Sequence, residues 1–310
     1  MSNKFAQEYV SINGISQYFL HIPNDSKNVI IMLHGGPLAP NSYLAYHHQS
    51  YLDFCNVVYY DQRGSGKTQI KSKTKPENLS FDILIEDLRQ TIQYVKEKYS
   101  TDRVFLVGHS YGTMIGTEYI KKYPHDVAGY IGYGQAVDMP MQNRSWYEYT
   151  KKAIMSSGKR RDIKKINSID SNFPNIERDA FVASYSVLVK LAFKYSYHIN
   201  NHRKVYTKSP LFSLRDGMQM GFSEKPGHSL VRDVEYDYSI RNTLKYDIPI
   251  YYVLGRYDEW TTSTIAAEYF ETIEAPSKGL HWIENAGHMV DIDNPSALFS
   301  TIKKILEEVS

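Results

Sequence analysis

The stretch Arg103–Ile120, RVFLVGHSYGTMIGTEYI, places an apolar run, Val104 to Val107, directly before Gly108-His109-Ser110-Tyr111-Gly112. A helix-forming segment follows at once. G-x-S-x-G between a strand and a helix is the pattern of a nucleophile elbow, in which a serine stands on a sharp, strained turn at the edge of a sheet. Small residues on either side are needed there, because neighbouring backbone must approach the turn closely. The five-residue pattern alone arises by chance; with a strand before it and a helix after it, the catalytic reading outweighs an ordinary turn.

Four further runs rich in β-branched and aromatic residues, Val29 to Leu33, Val57 to Tyr60, Val127 to Tyr133 and Ile250 to Leu254, are nearly continuous in apolar residues. Strands covered on both faces read this way. Between them lie amphipathic segments: Phe81, Leu84, Ile85, Leu88, Ile92 and Val95 recur at helical spacing and predict a helix before the strand at Val104. Strands alternating with helices predict an α/β fold with a mostly parallel central sheet flanked by helices. Residues 136–240 interrupt the alternation. They hold no clear buried strand, and Phe181, Tyr185, Leu188, Val189, Ala192 and Phe193 mark an amphipathic helix there. The expected organisation is therefore a core of residues 1–135 and 241–310 with an inserted helical cap, 136–240. The cap is net positive and the core net negative; the basic run Lys159, Arg160, Arg161, Lys164, Lys165 is read as a solvated helix face.

The chain has 310 residues, 42% of them hydrophobic and 23% charged, which is globular and not disordered composition. Lys+Arg 36 against Asp+Glu 34 is too balanced for a nucleic-acid surface. The opening MSNKFAQEYVSING lacks the basic and apolar regions of a signal peptide, and no apolar stretch is long enough to span a membrane, so a cytoplasmic location is expected. The single cysteine, Cys55, lies in the apolar run LDFCNVVYY and reads as a buried structural thiol.

A serine hydroxyl attacks a carbonyl only when a base takes its proton and an acid orients that base. Asp258 follows the strand Ile250 to Leu254, and His288 lies in a loop after the next strand, so the chain order Ser110, Asp258, His288 is that of α/β-hydrolases. His34 and His109 are explained by their local loops; His47, His48, His198, His202 and His228 lack a strand-end context and are expected on the surface or cap. An oxyanion needs two N–H donors. Gly36, in His34-Gly35-Gly36-Pro37 after a strand, and Tyr111, at the start of a helix, are the candidates.

Taken together, HGGP at 34–37, DQRGSGKT at 61–68, GHSYGT at 108–113, GRYDEWTT at 255–262 and AGH at 286–288 resemble the proline iminopeptidase family of α/β-hydrolases in their order. The resemblance spans most of the chain and implies a helical cap where the insertion lies. It also implies that the substrate's free amino group is held by two glutamates. Glu259, directly after Asp258, and Glu224, three residues after Gly221 in the cap, match those positions. A buried ammonium requires carboxylate partners, which agrees with that assignment. His109, Tyr111, Leu38 and Thr262 depart from the family's usual glycine, tryptophan, glycine and proline. Trp146, Tyr147, Tyr149, Tyr195 and Tyr197 offer aromatic area to a pocket, although most cap aromatics are expected to pack cap against core.

The expected activity is a serine hydrolase that removes an N-terminal residue, proline favoured, from short peptides through an acyl-enzyme on Ser110. The alternative is a carboxylesterase or lactonase acting on a small neutral ester. Neither requires a metal or organic cofactor, and the expected partner is a small-molecule or short-peptide substrate, with no nucleic acid and no membrane.

Overall fold

A computed structural model describes residues 5–75, 78–198, 202–222 and 229–309. Eight strands, β1 (Ala6–Ile12), β2 (Ile15–Ile22), β3 (Val29–Leu33), β4 (Asn56–Tyr60), β5 (Val104–His109), β6 (Val127–Tyr133), β7 (Ile250–Gly255) and β8 (Lys278–Ile283), form one sheet. Their order is β1-β2-β4-β3-β5-β6-β7-β8. The pairs β1–β2 and β2–β4 are antiparallel, and every pair from β4 to β8 is parallel. The first two strands form a hairpin closed by Asn13-Gly14, with φ of 44° and 77°; both residues of such a tight turn require positive φ. No strand was expected here from the sequence, because β1 is mostly solvent-facing and its residues AQEYVSI carry no apolar run.

The principal helices are α1 (Phe81–Tyr99), α2 (Tyr111–Lys122), α3 (Met139–Ser157), α4 (Arg160–Ile166), α5 (Arg178–Tyr195), α6 (His202–Lys208), α7 (Leu214–Phe222), α8 (Ser263–Thr272) and α9 (Pro295–Val309). Ser80 caps α1 by accepting a hydrogen bond from the N–H of Ile83, and Asp138 caps α3 by accepting one from Met141. Side chains alternate across each strand, so Ile31, Leu33, Val58 and Leu106 pack with Leu88, Ile92, Met114 and Phe270 of α1, α2 and α8. Ile30, Met32, Val57 and Val107 face the other way, onto Leu298, Ile302 and Ile305 of α9. Helices α3 to α7 all fall between β6 and β7 in the chain, and Trp146 and Ile154 of α3, Ile166 of α4, and Phe181, Leu188 and Leu191 of α5 form an apolar cluster of their own. Among the described residues, no helix is long and apolar enough to cross a membrane.

The strand order reverses around β3: the chain runs from β3 out to β4, then returns to β5 on the opposite side. Ligands bind parallel sheets of this kind outside the carboxyl ends of the strands, at such a reversal. HGGP follows β3, Ser110 follows β5, Asp258 follows β7 and His288 follows β8, so all four segments open on that edge.

Cys55 is fully buried, and burial pushes its thiol pKa far up, as a structural thiol requires. His48 corrects the surface expectation. It is buried, with Nδ1 2.9 Å from the Tyr59 hydroxyl and Nε2 3.0 Å from the carbonyl of Asp291, a partner 243 residues away. Arg63, from DQRGSGKT, is also buried: Nε and Nη2 bind Asp87 of α1 at 2.7 and 2.8 Å, and Nη2 binds the carbonyl of Asn13 at 2.8 Å. Removing one member of a buried pair strands the other charge. Arg63→Met should therefore destabilise the fold by about 3–5 kcal/mol, read from the shift of a urea unfolding midpoint. A loss below about 1 kcal/mol would place the pair with weak surface ion pairs.

Candidate active site

Ser110 sits at φ 52°, ψ −122°, a conformation that non-glycine residues rarely adopt, between the last residue of β5 and the first of α2. Its N–H donates to the carbonyl of Tyr133, and its own carbonyl accepts from the N–H of Thr113 at 2.8 Å and the Thr113 hydroxyl at 2.6 Å. Two of the flanking glycines are required by close approach. A Cβ on Gly112 would fall on the carbonyl oxygen of Leu33, and one on Gly35 would lie 2.8 Å from the Ser110 Cβ.

The structure brings Ser110, His288 and Asp258 into one hydrogen-bonded chain, from positions 178 and 30 residues apart. His288 Nε2 is 3.0 Å from Ser110 Oγ, and Nδ1 is 3.0 Å from Asp258 Oδ2. Asp258 is buried and further held by the N–H groups of Trp260 and Thr261 on Oδ1, at 2.9 and 3.1 Å, and by the Thr261 hydroxyl on Oδ2 at 2.9 Å. Burial pushes its carboxyl pKa up, but the charge and hydrogen bond of His288, together with the Thr261 bonds, outweigh burial and hold it below the usual value. An ionised acid locked on Nδ1 leaves Nε2 free to take a proton from the hydroxyl.

Of the two oxyanion candidates, Gly36 borders the cavity at φ 125°, and Tyr111 is the first residue of α2, where helix N–H groups lack intrahelical partners. The cavity above Ser110 has a volume of about 490 Å³. Its walls include the 35–39 loop and His109, with Tyr185, Val189, Lys190 and Phe193 of α5, His202 and Tyr206 of α6, Val231 and Trp260. None of the five cap aromatics named from sequence is among the lining residues. Trp146 and Tyr147 are buried in the cap cluster, and α5 and α6 supply the aromatic wall instead. Trp260 lies over the His288 ring with centroids 5.3 Å apart and planes 12° from parallel, and stacks in turn on Trp146 at 4.9 Å.

Glu259 is half-buried but is not among the residues lining the cavity. Burial, then the charge of Asp258, raises its carboxyl pKa to about 7. Glu224 lies outside the described residues. Sequence reading missed Glu235, a buried carboxyl in the turn Val231–Glu235 whose Oε2 has no partner among the described residues. Burial raises its pKa to about 7, against a lowering hydrogen bond from Tyr185 of the cavity wall. No local motif marks it, since its burial depends on α3 and α5 packing over it. Asp291, a second buried carboxyl and one that does line the cavity, receives the Tyr133 hydroxyl on Oδ2 at 3.2 Å. The described residues hold no cluster of three or more His, Cys, Asp or Glu suited to a metal.

The chain belongs to the family described as serine aminopeptidase S33, whose model matches residues 24–294. It is 24% identical over 308 residues to a probable aminopeptidase, YbaC, of Bacillus subtilis, covering 95% of this chain and 94% of that protein. It is also 24% identical over 292 residues to a proline iminopeptidase of Heyndrickxia coagulans, covering 92% and 93%. Among solved structures, a proline iminopeptidase of Mycobacterium smegmatis shares the fold with a TM-score of 0.72 at 16% identity, over 98% of both chains. The protein is an α/β-hydrolase. A serine-directed fluorophosphonate should label one site per chain, and Ser110→Ala should abolish labelling while circular dichroism is unchanged. Labelling that persists in Ser110→Ala would point to a different nucleophile.

Proposed function

We propose that the protein is a serine aminopeptidase that removes an N-terminal residue, with proline favoured, from short peptides. The observation that carries this reading is the Ser110–His288–Asp258 chain standing at an elbow beneath a cap-walled cavity. Ser110 Oγ attacks the scissile carbonyl as His288 Nε2 takes its proton. The N–H groups of Gly36 and Tyr111 hold the oxyanion, and the helix N-terminus at Tyr111 adds to their pull. His288 then passes the proton to the leaving amine, Asp258 stabilises the imidazolium, and water releases the acyl group by the same steps.

The substrate's N-terminal ammonium is the second determinant. Glu259 follows the family position, Glu224 is the expected cap partner, and Glu235 is a buried cap carboxyl behind Tyr185. An ammonium placed beside carboxyls whose pKa is raised to about 7 lowers that pKa and gains their charge. The largely apolar wall of the cavity favours a second reading, hydrolysis of a neutral ester, and one substrate pair separates the two.

In Glu259→Gln, kcat/KM for a proline arylamide should fall roughly 100-fold, the equivalent of losing about 3 kcal/mol of a buried charge pair. A neutral ester of similar size should change little, and equal losses for both substrates would move the assignment to the esterase reading. The pH dependence follows with its sign. Below about 7 the carboxyls are protonated and give no counter-charge, so KM for the arylamide should rise about tenfold per unit as pH falls below 7. Above about 8 the substrate's own amine loses its proton. The arylamide should therefore bind best between about 7 and 8, whereas KM for the ester stays flat; parallel KM profiles for the two substrates would overturn the amine anchor.

A further inference from the structure

The loop that carries His288 is fastened from beneath by side chains of the sheet edge. His109, the residue before Ser110, is buried and places Nε2 3.0 Å from the carbonyl oxygen of His288. Since that carbonyl only accepts, the ring donates. Its plane stacks on Tyr133 at the end of β6, centroids 4.6 Å apart and 17° from parallel, and its centroid lies 4.9 Å from that of His288. Tyr133 in turn donates its hydroxyl to Asp291, three residues beyond His288, and His48 Nε2 meets the carbonyl of Asp291 at 3.0 Å. Gly134, at φ 56°, leaves no room for a side chain here, since a Cβ would come within 3.0 Å of His288 Cε1 and 3.2 Å of His109 Cδ2.

The proposed general base and nucleophile are thus joined twice. One link is the Oγ–Nε2 hydrogen bond that chemistry breaks and remakes in each cycle. The other runs from the neighbouring residue of the nucleophile, through the His109 N–H, to the backbone of the base, and is not consumed by proton transfer. We propose that His109 is a positioning residue: its N–H fixes the main chain of His288 so that the imidazole meets Ser110 and Asp258 in register. Misplacing a reacting group by about 1 Å costs on the order of 100-fold in rate, so a tether at the base's own backbone carries catalytic weight. His109 touches neither the reacting hydroxyl nor the proton. Burial, reinforced by the neighbouring His288, lowers its pKa to about 3, so the ring stays neutral when His288 becomes an imidazolium and adds no opposing charge. The inference rests on the serine-hydrolase reading and adds to it a role for a residue whose sequence context suggested only loop geometry.

Two substitutions separate tethering from packing. His109→Phe keeps a ring to stack on Tyr133 but has no N–H, whereas His109→Gln loses the ring and keeps an amide N–H at similar reach. If His109 tethers His288, the phenylalanine variant should lose roughly 10- to 100-fold in kcat with KM within about twofold, and its fluorophosphonate labelling rate should fall in parallel. The glutamine variant should recover most of both. Melting temperatures of the two variants are measured alongside. Full activity in both variants, equal losses in both, or a loss confined to glutamine would each overturn the proposal. The wild-type protein and Ser110→Ala run in the same assay show independently whether the hydrolase reading stands, because Ser110→Ala leaves no turnover if it does.

Discussion

The backbone of Ser110 is the constraint on which the rest of the site depends. A non-glycine residue at φ 52°, ψ −122° costs on the order of 1–3 kcal/mol, and such a conformation persists only where its surroundings over-determine it. They do so here on three sides. Strand β5 holds the residue from below through the pairing of His109 with Tyr133, Thr113 clasps its carbonyl from the first turn of α2, and the Gly35 backbone closes over its Cβ. The strain projects the hydroxyl out of the sheet edge toward His288, and α2 starts directly after it at Tyr111.

Electrostatics complete what the elbow begins. Asp258 is buried, yet it is kept ionised because three donors besides His288 converge on its two oxygens. Those donors come from Trp260 and Thr261, within three residues of it, so the turn after β7 solvates its own acid. Trp260 does a second job by covering the His288 ring with its indole while Nε1 donates to Ser196 of the cap at 2.7 Å. Water is thereby excluded from one face of the imidazole, which strengthens the interactions that remain.

Polar contacts tie the inserted helices to the core. Lys67, just after the DQRGSG turn, reaches the carboxylate of Asp216 at 3.0 Å and the carbonyl of Leu211 at 3.0 Å, while Ser209 donates to the carbonyl of Tyr43 at 2.7 Å. On the opposite side the stack Trp146–Trp260–His288 runs from the cap's own cluster to the base. The inserted helices thus supply part of the cavity wall and the far end of the ring stack over His288.

The fold and the chain order of Ser110, Asp258 and His288 were legible in the sequence because each rests on local chemistry. Continuous apolar runs mark doubly covered strands, helical spacing marks α1, and Ser110, Asp258 and His288 each follow a strand in an order that the elbow makes meaningful. The β1–β2 hairpin escaped that reading because a solvent-facing strand has no apolar run. The interior of the site escaped it for a different reason. His48, Glu235 and Asp291 are buried only because segments far apart in the chain fold over them, and His109 meets the His288 carbonyl only because residue 288 returns to lie against it. Covalent neighbours and periodicity determined the elements and the order of Ser110, Asp258 and His288. Burial, charge and the partners of each polar atom were decided by tertiary packing, since the free energy of a polar group depends on what surrounds it in space and not along the chain.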